Sequence, residues 1–323
     1  MSSIDAGTSR AVTFAGLPGV VLAAGGQAVS DPVDFPVAAA ANVTVTAYLA
    51  AGQRAVGGVT SHPGSRTTSY LAAGDRVTDQ DLAGAVAVDH WYLLSGVEAC
   101  AGTATAAAAL LGDSLTDGRG STTNGNDRWP DQLLDLMRSR GDTAGAALLN
   151  LGIGGNRVLR DGLGPSIVSR LDRDVLAVSG VRWLVVFAGV NDIGTADATE
   201  AAQRQVVAEL CMAYAQIAAK AHAAGVAAYA ATLTPFGGND PYDDPAGHRE
   251  AARQAVNAWI RTSRQLAAVL DFDQAVRDPL IHRHLRPSLD GGDRLHLNPA
   301  GYQVLASAVP ASLFRQLPDP RPA

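Results

Sequence analysis

The strongest constraint on the fold is a series of five short, nearly all-apolar runs that begins after residue 102. Such runs are typical of parallel strands whose two faces are both covered by helices. We predict strands at Ala106–Leu111, Ala147–Leu151, Trp183–Phe187, Val226–Ala231 and Ala267–Phe272. Longer segments with helical spacing separate them, and this alternation indicates a three-layer α/β domain. We predict helices at Trp129–Arg140, Pro165–Val178, Glu200–Ala224 and Gly247–Gln265, with a last one that begins at Pro299.

The chain before this domain has a different pattern. Short β-prone runs at Val12–Phe14, Val43–Leu49 and Thr68–Leu71 are separated by Gly, Pro, Asp and Ser, which favours antiparallel strands. In Val43–Leu49 apolar residues alternate with hydroxyl-bearing ones, so one face can pack while the other meets water. We therefore predict a small antiparallel β-sandwich domain over residues 1–102 and the α/β domain over residues 103–323.

Composition excludes several classes of partner. Hydrophobic residues make up 47% of the 323 residues and charged residues 17%, which suits a folded globular chain rather than a disordered one. The formal net charge is −6, so no general cationic field is available to bind nucleic acid or an anionic membrane. No apolar run reaches the length of about 18 residues that a bilayer span needs. We expect neither nucleic acid nor a membrane as a partner.

Two cysteines, Cys100 and Cys211, are too few for a disulfide framework. We expect both to be small buried residues, with a single bridge as the open alternative. The first residues lack the basic start and continuous apolar stretch of a secretory signal. The expectation is therefore either export from a longer precursor or a cytoplasmic location. The residues do not indicate an oligomeric state.

A candidate nucleophile follows the first predicted parallel strand. Leu111-Gly112-Asp113-Ser114 places a serine at the carboxyl end of that strand, where ligand sites of open α/β sheets form. A serine hydroxyl needs a base within hydrogen-bonding reach, and the base must itself be oriented by another group. Since Gly-Asp-Ser is also common in ordinary turns, Ser114 alone is not sufficient to indicate catalysis.

The next two strands also end in polar loops. Asn150-Leu151-Gly152-Ile153-Gly154-Gly155 follows the second, and Gly189-Val190-Asn191-Asp192 follows the third. Gly155, through its backbone N–H, and Asn191, through its amide, are candidates to stabilise the oxyanion of an acyl-transfer reaction. The alternative is that the glycines only permit positive φ and that Asn191 caps a helix.

A candidate base lies near the C-terminus in Asp293-Arg294-Leu295-His296-Leu297-Asn298-Pro299. Asn298 is a predicted N-cap and Pro299 a first helical residue, so His296 lies just before a helix. An aspartate three residues earlier can accept the second imidazole N–H and fix the tautomer. We expect none of the six other histidines to have comparable surroundings. No His/Cys/Asp cluster has ligand spacing, so no metal or other cofactor is indicated.

Together the four segments resemble the sequence blocks of the SGNH (GDSL-type) hydrolase superfamily, which supply Ser, Gly, Asn and His in this order. Gly112-Asp113-Ser114-Leu115 looks like the nucleophile block, and Gly155 falls on the glycine of the second block. Gly189-Val190-Asn191-Asp192 matches Gly-x-Asn-Asp, and Asp293–His296 matches Asp-x-x-His. The resemblance implies a flavodoxin-like α/β/α domain with a five-stranded parallel sheet and no cofactor.

The resemblance also implies roles for the site residues. Ser114 would attack the ester carbonyl, His296 would take its proton and return it to the leaving alcohol, and Asp293 would orient His296. The N–H groups of Ser114 and Gly155 and the amide of Asn191 would form the oxyanion hole. Asp113 and Asp192 are expected to brace their loops.

Further segments look like a bacterial SGNH subgroup with a β-sandwich in front, whose members are similar to carbohydrate esterases. These segments are Arg128-Trp129-Pro130, Asp161-Gly162, Thr232–Gly238 and Asn257–Arg261. The implied substrates are acetylated sugars or xylan-type polysaccharides, with activity on other short-chain acyl esters. In members of the subgroup further strands precede the segment that resembles Ala11–Phe14, so we expect an incomplete sandwich.

The loop Thr234–Gly247 is rich in Gly, Pro and Asp, so we predict that it is polar and open. Such a loop beside the site would favour small or polar esters. The alternative is that the loop is only a solvated connection without a role in substrate choice. Trp129 and Tyr242 are candidates for stacking on a sugar ring, with core packing as the alternative for Trp129.

Two other functions stay open. One is a lysophospholipase or thioesterase on the same scaffold, and the other is a non-catalytic carbohydrate-binding protein.

Overall fold

Short strands form two antiparallel sheets in the first hundred residues. The structure, a computed structural model, describes residues 2–52, 59–102 and 105–315. Strand β1 (Ser61–Pro63) pairs with β4 (His90–Tyr92), and β2 (Ser69–Leu71) pairs with β3 (Val86–Val88). A β-rich region thus precedes the α/β part, as predicted.

This β-rich region is smaller than the predicted sandwich. The strand predicted at Thr68–Leu71 is present as β2. By contrast, Val12–Phe14 contributes only one isolated bridge, between Phe14 and Leu17, and Val43–Leu49 forms no strand. The side chains of Val12 and Val45 are about half exposed, so neither segment buries an apolar face, and a lone strand has no partner for its backbone groups. Within the described residues, this region contains two two-stranded antiparallel sheets.

Five parallel strands form the largest sheet, and all five were predicted. They are β5 (Ala106–Gly112), β6 (Ala146–Gly152), β7 (Val181–Phe187), β8 (Ala227–Ala231) and β9 (Ala268–Leu270). Their order is β6-β5-β7-β8-β9, which is the flavodoxin-like order. From β5 the chain crosses to β6 on one side of it, and then returns to form β7 on the other side. Loops after β5 and β7 therefore diverge at a crevice, where such sheets bind ligands.

All the predicted helices are present. The helices are α1 (Ser114–Asp117), α2 (Trp129–Arg138), α3 (Ile167–Leu171), α4 (Val190–Thr195), α5 (Glu200–Ala223), α6 (His248–Thr262), α7 (Phe272–Val276) and α8 (Pro299–Ala308). A π-helical turn (Asp172–Leu176) continues α3, and a 3-10 turn (Ala311–Phe314) follows α8. Helices α1, α4 and α7 were not predicted because four to six residues are too few to show a helical period. Helix α8 has the predicted start, with Asn298 accepting from the N–H of Gly301.

Aromatic side chains join the sheet to the helices around it. Trp129 of α2 packs edge-on against Phe272 of α7, and Phe187 of β7 packs edge-on against the same ring, with centroids 5.5 and 5.0 Å apart. All three side chains are fully buried, and each such burial contributes about 1.5–3 kcal/mol. Trp129 is therefore a core residue and not a platform for a sugar.

The chain divides into two units. One comprises Met1–Thr60 with Thr68–Val88, and the other comprises Ser61–Thr67 with Asp89–Ala323. The first contains the β2–β3 pair, and the second contains β1, β4 and the parallel sheet. Residues 61–67 thus belong to the α/β unit although they precede residue 102. The domain boundary predicted at residue 102 stays a prediction.

The two cysteines differ from expectation. Both are free thiols, but Cys100 is exposed and Cys211 is only partly buried, so the expected burial of both is wrong. Cys100 lies in a segment without regular structure that buries little around it. No helix in the described part of the chain is long and apolar enough to cross a bilayer.

Candidate active site

Ser114 lies at the turn that connects β5 to α1. Asp113 is the N-cap of α1, and its side chain accepts from the N–H of Leu115 at 3.0 Å. Gly112 leaves no room for a side chain, because a Cβ there would lie 2.2 Å from Oγ1 of Thr116. This tight turn ends the strand and brings Ser114 to the first position of the helix, where a backbone N–H has no intrahelical partner.

The structure brings together the predicted nucleophile, the predicted base and the aspartate that was predicted to orient the base. Oγ of Ser114 lies 2.7 Å from Nε2 of His296. Nδ1 of His296 lies 2.6 Å from Oδ2 of Asp293, whose Oδ1 accepts from the backbone N–H of His296 at 2.8 Å. A hydroxyl, an imidazole and a carboxylate in this order can activate the hydroxyl as a nucleophile.

The charges around His296 suit a base. Burial lowers the pKa of His296, the nearby positive charges of Arg119 and Arg66 lower it further, and the Asp293 carboxylate opposes them. Burial also acts to raise the pKa of Asp293, but the hydrogen bonds from His296 outweigh burial and keep that pKa below its usual value. The pair therefore consists of a neutral imidazole and an ionised carboxylate near neutral pH.

Gly155 and Asn191 come from the loops after β6 and β7. Gly155 has φ +71°, and a Cβ at this position would lie 2.6 Å from Cδ1 of Leu163, so both conformation and space require glycine. Nδ2 of Asn191 donates to the carbonyl of Asn156 at 2.9 Å. An amide nitrogen carries two hydrogens, so one remains for another acceptor.

Tyr242 fixes which way the Asn191 amide points. Its hydroxyl donates to Oδ1 of Asn191 at 2.7 Å, which leaves Nδ2 on the side of Asn156. The alternative in which Asn191 caps a helix is wrong, because α4 begins at Val190 and its N-cap is Gly189. Sequence reasoning considered Tyr242 only as a sugar platform, since a contact across 51 residues leaves no local signal.

The two aspartates expected to brace loops do so. Asp192 accepts from the N–H groups of Val158 and Leu159 at 2.8 and 3.0 Å, which joins the loop after β7 to the one after β6. Burial, followed by smaller effects of the nearby carboxylates, raises the pKa of Asp113 to about 7. Asp113 therefore lies close to the midpoint of its own titration at neutral pH.

Arg170 joins the ends of the two strands that precede the site, and sequence reasoning missed it. Its side chain is buried and donates to the carbonyls of Leu151 and Gly112 at 2.8 and 3.3 Å and to Oδ1 of Asn156. A buried arginine in the middle of a predicted helix gives no signal that its side chain bonds to strand carbonyls.

His62 contradicts the expectation that no other histidine has comparable surroundings. Its Nε2 lies 2.6 Å from Oδ1 of Asp117, three residues after Ser114, and its ring lies 5.1 Å from that of Trp91. Segment 61–67 is thus part of the site's surroundings. In the described ranges no three His, Cys, Asp or Glu side chains are grouped so as to hold a metal ion.

The loop after β8 is less open than expected. Residues 234–237 are buried, and exposure is confined to parts of 240–247. Asn239 in this loop donates to the carbonyl of Asp293 at 2.7 Å. The loop therefore supports the segment that carries Asp293. The polar composition did not reveal this, because the side chains of Asn239, Asp243 and Asp244 form hydrogen bonds within the protein.

Comparison with known proteins places this site in a family. Residues 110–304 match the GDSL-like Lipase/Acylhydrolase family. No curated protein matches the chain. Similar solved structures include an acetylxylan esterase from Geobacillus stearothermophilus (20% identity, 63% of this chain and 91% of that one, TM-score 0.46). Others are a carbohydrate acetylesterase from Sinorhizobium meliloti (15%, 64% and 97%, 0.48) and a GDSL-like lipase from Bacteroides thetaiotaomicron (17%, 62% and 84%, 0.43).

The family match covers more than half of the chain and includes every candidate site residue from Ser114 to His296. Because residues 110–304 match this family, the chain belongs to the GDSL-like lipase/acylhydrolase family and is an ester-hydrolysing enzyme.

Proposed function

We propose that the protein is a serine esterase that removes short acyl groups, above all acetyl groups, from carbohydrate. Ser114, His296 and Asp293 are its proposed catalytic residues. The observation that carries this proposal is the unbroken hydrogen-bond chain from Oγ of Ser114 through His296 to Asp293. Residues 1–102 are proposed to act as an accessory domain.

In the first half of the reaction Oγ of Ser114 attacks the ester carbonyl carbon while Nε2 of His296 takes the hydroxyl proton. The carbonyl oxygen becomes an oxyanion. The N–H groups of Ser114 and Gly155 and the free hydrogen on Nδ2 of Asn191 stabilise it. Asp293 stabilises the imidazolium that forms.

In the second half the tetrahedral intermediate collapses, and the alcohol leaves with the proton from His296. The acyl group stays on Ser114. His296 then takes a proton from a water molecule that attacks the acyl carbon, and it gives this proton to Oγ of Ser114 as the acid leaves. No step needs a group from outside the chain other than water.

Side chains beside the oxyanion donors support a small acyl group. Leu163 packs over Gly155, and the ring of Tyr242 lies over Gly194, where a Cβ would be 2.5 Å from it. We propose that these two side chains limit the length of the acyl chain that the site accepts. The choice of an acetylated carbohydrate as the alcohol part rests on the segments that look like the carbohydrate-esterase subgroup.

The test is hydrolysis of p-nitrophenyl acetate, butyrate and octanoate, with acetate release from acetylated xylan measured alongside. We expect the highest kcat/KM for acetate and release of acetate from xylan. A preference for octanoate would instead support a lysophospholipase or thioesterase. Binding of xylan without turnover of any ester would support the non-catalytic alternative.

Tyr242→Phe tests the orientation of the Asn191 amide. Without the phenolic hydroxyl, Oδ1 of Asn191 loses its donor, so we expect kcat for p-nitrophenyl acetate to fall about tenfold with little change in KM. Tyr229→Phe is the matched control, since its hydroxyl bonds the carbonyl of Leu313 at 3.0 Å, away from the site. Equal losses in the two variants would contradict this role for Tyr242.

The pH dependence of kcat/KM follows from His296. A base acts in its neutral form, and the pKa of His296 is lowered below its ordinary value of 6.5. Activity should therefore fall on the acid side with a midpoint below 6.5. The same midpoint is expected in Asp113→Asn, because burial, Asp293, Arg119 and Arg66 are the main causes that set the pKa of His296. Asp113 titrates separately, with a pKa of about 7. A midpoint near 7 that disappears in Asp113→Asn would assign the titration to Asp113 instead.

A further inference from the structure

We propose that Trp91 and His62 form a binding surface for the sugar ring of the substrate beside Ser114. The two residues belong to the paired strands β1 and β4, which we call the aromatic ribbon. Trp91 stacks on the face of a neutral pyranose ring, and His62 accepts a hydrogen bond from one of its hydroxyls. The inference rests on the proposed function, because it assigns residues to the carbohydrate part of the same ester.

One face of the aromatic ribbon carries both rings. His62 and Trp91 are direct partners in the register of β1 and β4, so their side chains point to the same side. Their ring centroids are 5.1 Å apart. His90 and Tyr92 point to the opposite face, where their rings stack on each other. His62 and Trp91 are each only partly buried, so this face keeps aromatic surface that a ligand can cover.

A hydrogen bond joins this face to the helix that starts at the nucleophile. Nε2 of His62 lies 2.6 Å from Oδ1 of Asp117. Asp117 is the last residue of α1 and Ser114 is the first, so the two are about 4.5 Å apart along the helix axis. The other oxygen of Asp117 faces the loop after β6, because a Cβ on Gly154 would lie 3.6 Å from Oδ2. Since Gly154 precedes the proposed oxyanion donor Gly155, His62 borders the site itself.

A second contact holds the aromatic ribbon against the loop that follows α1. The N–H of Asn124 in this loop donates to the carbonyl of Arg66, three residues after β1, at 2.9 Å. The same loop passes the base, since a Cβ on Gly120 would lie 3.8 Å from Cβ of His296. The aromatic ribbon is thus fixed beside the helix of the nucleophile and beside a loop that touches the base.

The bond to Asp117 decides which nitrogen of His62 can meet a ligand. A carboxylate only accepts hydrogen bonds, so Nε2 carries the hydrogen and donates it. Nδ1 of the neutral ring is then an acceptor, and in the part of the chain that the structure describes it has no donor. The His62 side chain is 21% exposed, and Nδ1 is open to solvent. A sugar hydroxyl supplies the donor that this nitrogen lacks.

Trp91 supplies the flat apolar surface for the ring. In a pyranose such as xylose the C–H groups form an apolar face, and the hydroxyls project from its rim. Ligand sites combine aromatic surface with a few placed polar groups, which are here the indole and Nδ1 of His62. Of the other three tryptophans, Trp129 and Trp183 are buried in the core and Trp259 packs against it. Neither strand of the aromatic ribbon contains a Lys, Arg, Asp or Glu, which suits a neutral ring.

The size of the acyl group decides which part of the ester reaches the aromatic ribbon. The carbonyl carbon must lie at Oγ of Ser114, and an acetyl group extends only one carbon beyond it. The contacts run from α1 through Asp117 to His62 and then to Trp91, a distance that a methyl group does not span. The alcohol part is therefore the part that lies on the indole.

The test compares a mono-acetylated methyl β-xylopyranoside with ethyl acetate in the full chain. The measured quantity is the ratio of kcat/KM for the saccharide ester to that for ethyl acetate, which removes effects common to both substrates. We expect Trp91→Ala to lower this ratio about tenfold, the size of one aromatic contact, mainly through a higher KM for the saccharide ester. Trp91→Tyr keeps an aromatic face and should retain most of the ratio, which gives a result even if the alanine variant does not fold.

Cyclohexyl acetate isolates the hydrogen bond to His62, because its ring has the same size but no hydroxyls. His62→Phe keeps a ring next to Trp91 and removes the acceptor. We expect the ratio of kcat/KM for the saccharide ester to that for cyclohexyl acetate to fall about fivefold in this variant. In Trp91→Ala the values for both ring esters should fall together. An unchanged ratio in His62→Phe would contradict the hydrogen bond.

Tyr92→Leu is the matched control for the stacking contact. Tyr92 is next to Trp91 on β4 but points to the opposite face, so its ratio of saccharide ester to ethyl acetate should equal that of the parent. Equal losses in Tyr92→Leu and Trp91→Ala would mean that the aromatic ribbon only supports the fold and that the binding surface does not exist.

Tryptophan fluorescence gives a measurement that needs no turnover. Methyl β-xylopyranoside, titrated into the Ser114→Ala protein, should change the emission, because the sugar covers the indole of Trp91. The change should disappear when Trp91→Phe is added to this variant. A change of the same size without Trp91 would place the sugar elsewhere and overturn the inference.

The failure of this inference differs from the failure of the proposed function. If Trp91→Ala keeps the parental ratio while cleavage of ethyl acetate still needs Ser114, the esterase stands and the binding surface does not exist. If Trp91→Ala instead slows p-nitrophenyl octanoate relative to p-nitrophenyl acetate, the aromatic ribbon contacts the acyl part and the inference is wrong. If Ser114→Ala cleaves ethyl acetate as fast as the parent, the proposed catalytic residues themselves are wrong.

Discussion

Replacing Ser114 with alanine should lower kcat for p-nitrophenyl acetate by about 10⁵-fold or more. The variant has no group to attack the carbonyl, and His296 has no hydroxyl proton to take. Residual activity would come from water and the oxyanion donors. Rates should be measured in a purified variant with a folded-state check by circular dichroism, since Ser114 is a buried residue whose hydroxyl bonds His296.

Two comparisons make this result specific. Ser139→Ala removes a serine hydroxyl that bonds the carbonyl of Leu136 at the end of α2, and it should retain the full rate. Burst kinetics with the parent should show one p-nitrophenol released per active site before steady state, with the acyl group held on Ser114, if deacylation is the slower step. A Ser114→Ala protein that keeps more than about a hundredth of the parental rate, well above the residual expected of a triad knockout, would indicate a different nucleophile.

Replacing Arg253 with methionine should lower the free energy of unfolding by about 3 kcal/mol or more. The Arg253 side chain is fully buried. It donates to Oδ1 of Asp273 at 2.7 Å, to both oxygens of Glu250 at 2.7 Å and to the carbonyl of Leu233 at 2.9 Å. Methionine fills a similar space but removes the charged donor from Oδ1 of the fully buried Asp273 and from the Glu250 carboxylate, and uncompensated buried charge is strongly destabilising.

Urea unfolding followed by tryptophan fluorescence measures the effect, and the midpoint of thermal unfolding should fall by roughly 6 °C or more. Arg204→Met is the matched control, because Arg204 is exposed and pairs with Glu200 only on the surface; its stability should stay close to that of the parent. Asp273 also accepts from Arg261 and Arg277. A loss below about 1 kcal/mol would mean that these two arginines compensate for the missing one.

The parallel sheet and the site loops were predictable because the signals lie within short stretches. Strands buried on both faces must be apolar throughout, and β5 is buried along its whole length. Asn298 and Pro299 mark the start of α8 by cap chemistry alone. The candidate residues Ser114 and Asn191 follow strands directly, so a correct strand prediction also locates them.

What the sequence did not reveal depends on contacts between distant residues. The runs at Val12–Phe14 and Val43–Leu49 have β propensity, but a strand needs a partner, and propensity does not say whether one exists. The pairs His62–Asp117 and Tyr242–Asn191 join residues 55 and 51 positions apart. The burial of residues 234–237 was hidden by a composition that is typical of exposed loops.

The division of the chain into two units affects how the hydrolase unit can be made. Residues 61–67 belong to it, while residues 68–88, which come next, belong to the other unit. The hydrolase unit is therefore discontinuous in sequence. During synthesis His62 emerges long before Asp117 and its surroundings exist, so this part of the fold must wait for the ribosome to finish the α/β portion. A protein cut at residue 102 would also lack the imidazole that Asp117 is bonded to, leaving a carboxylate beside Ser114 without its partner.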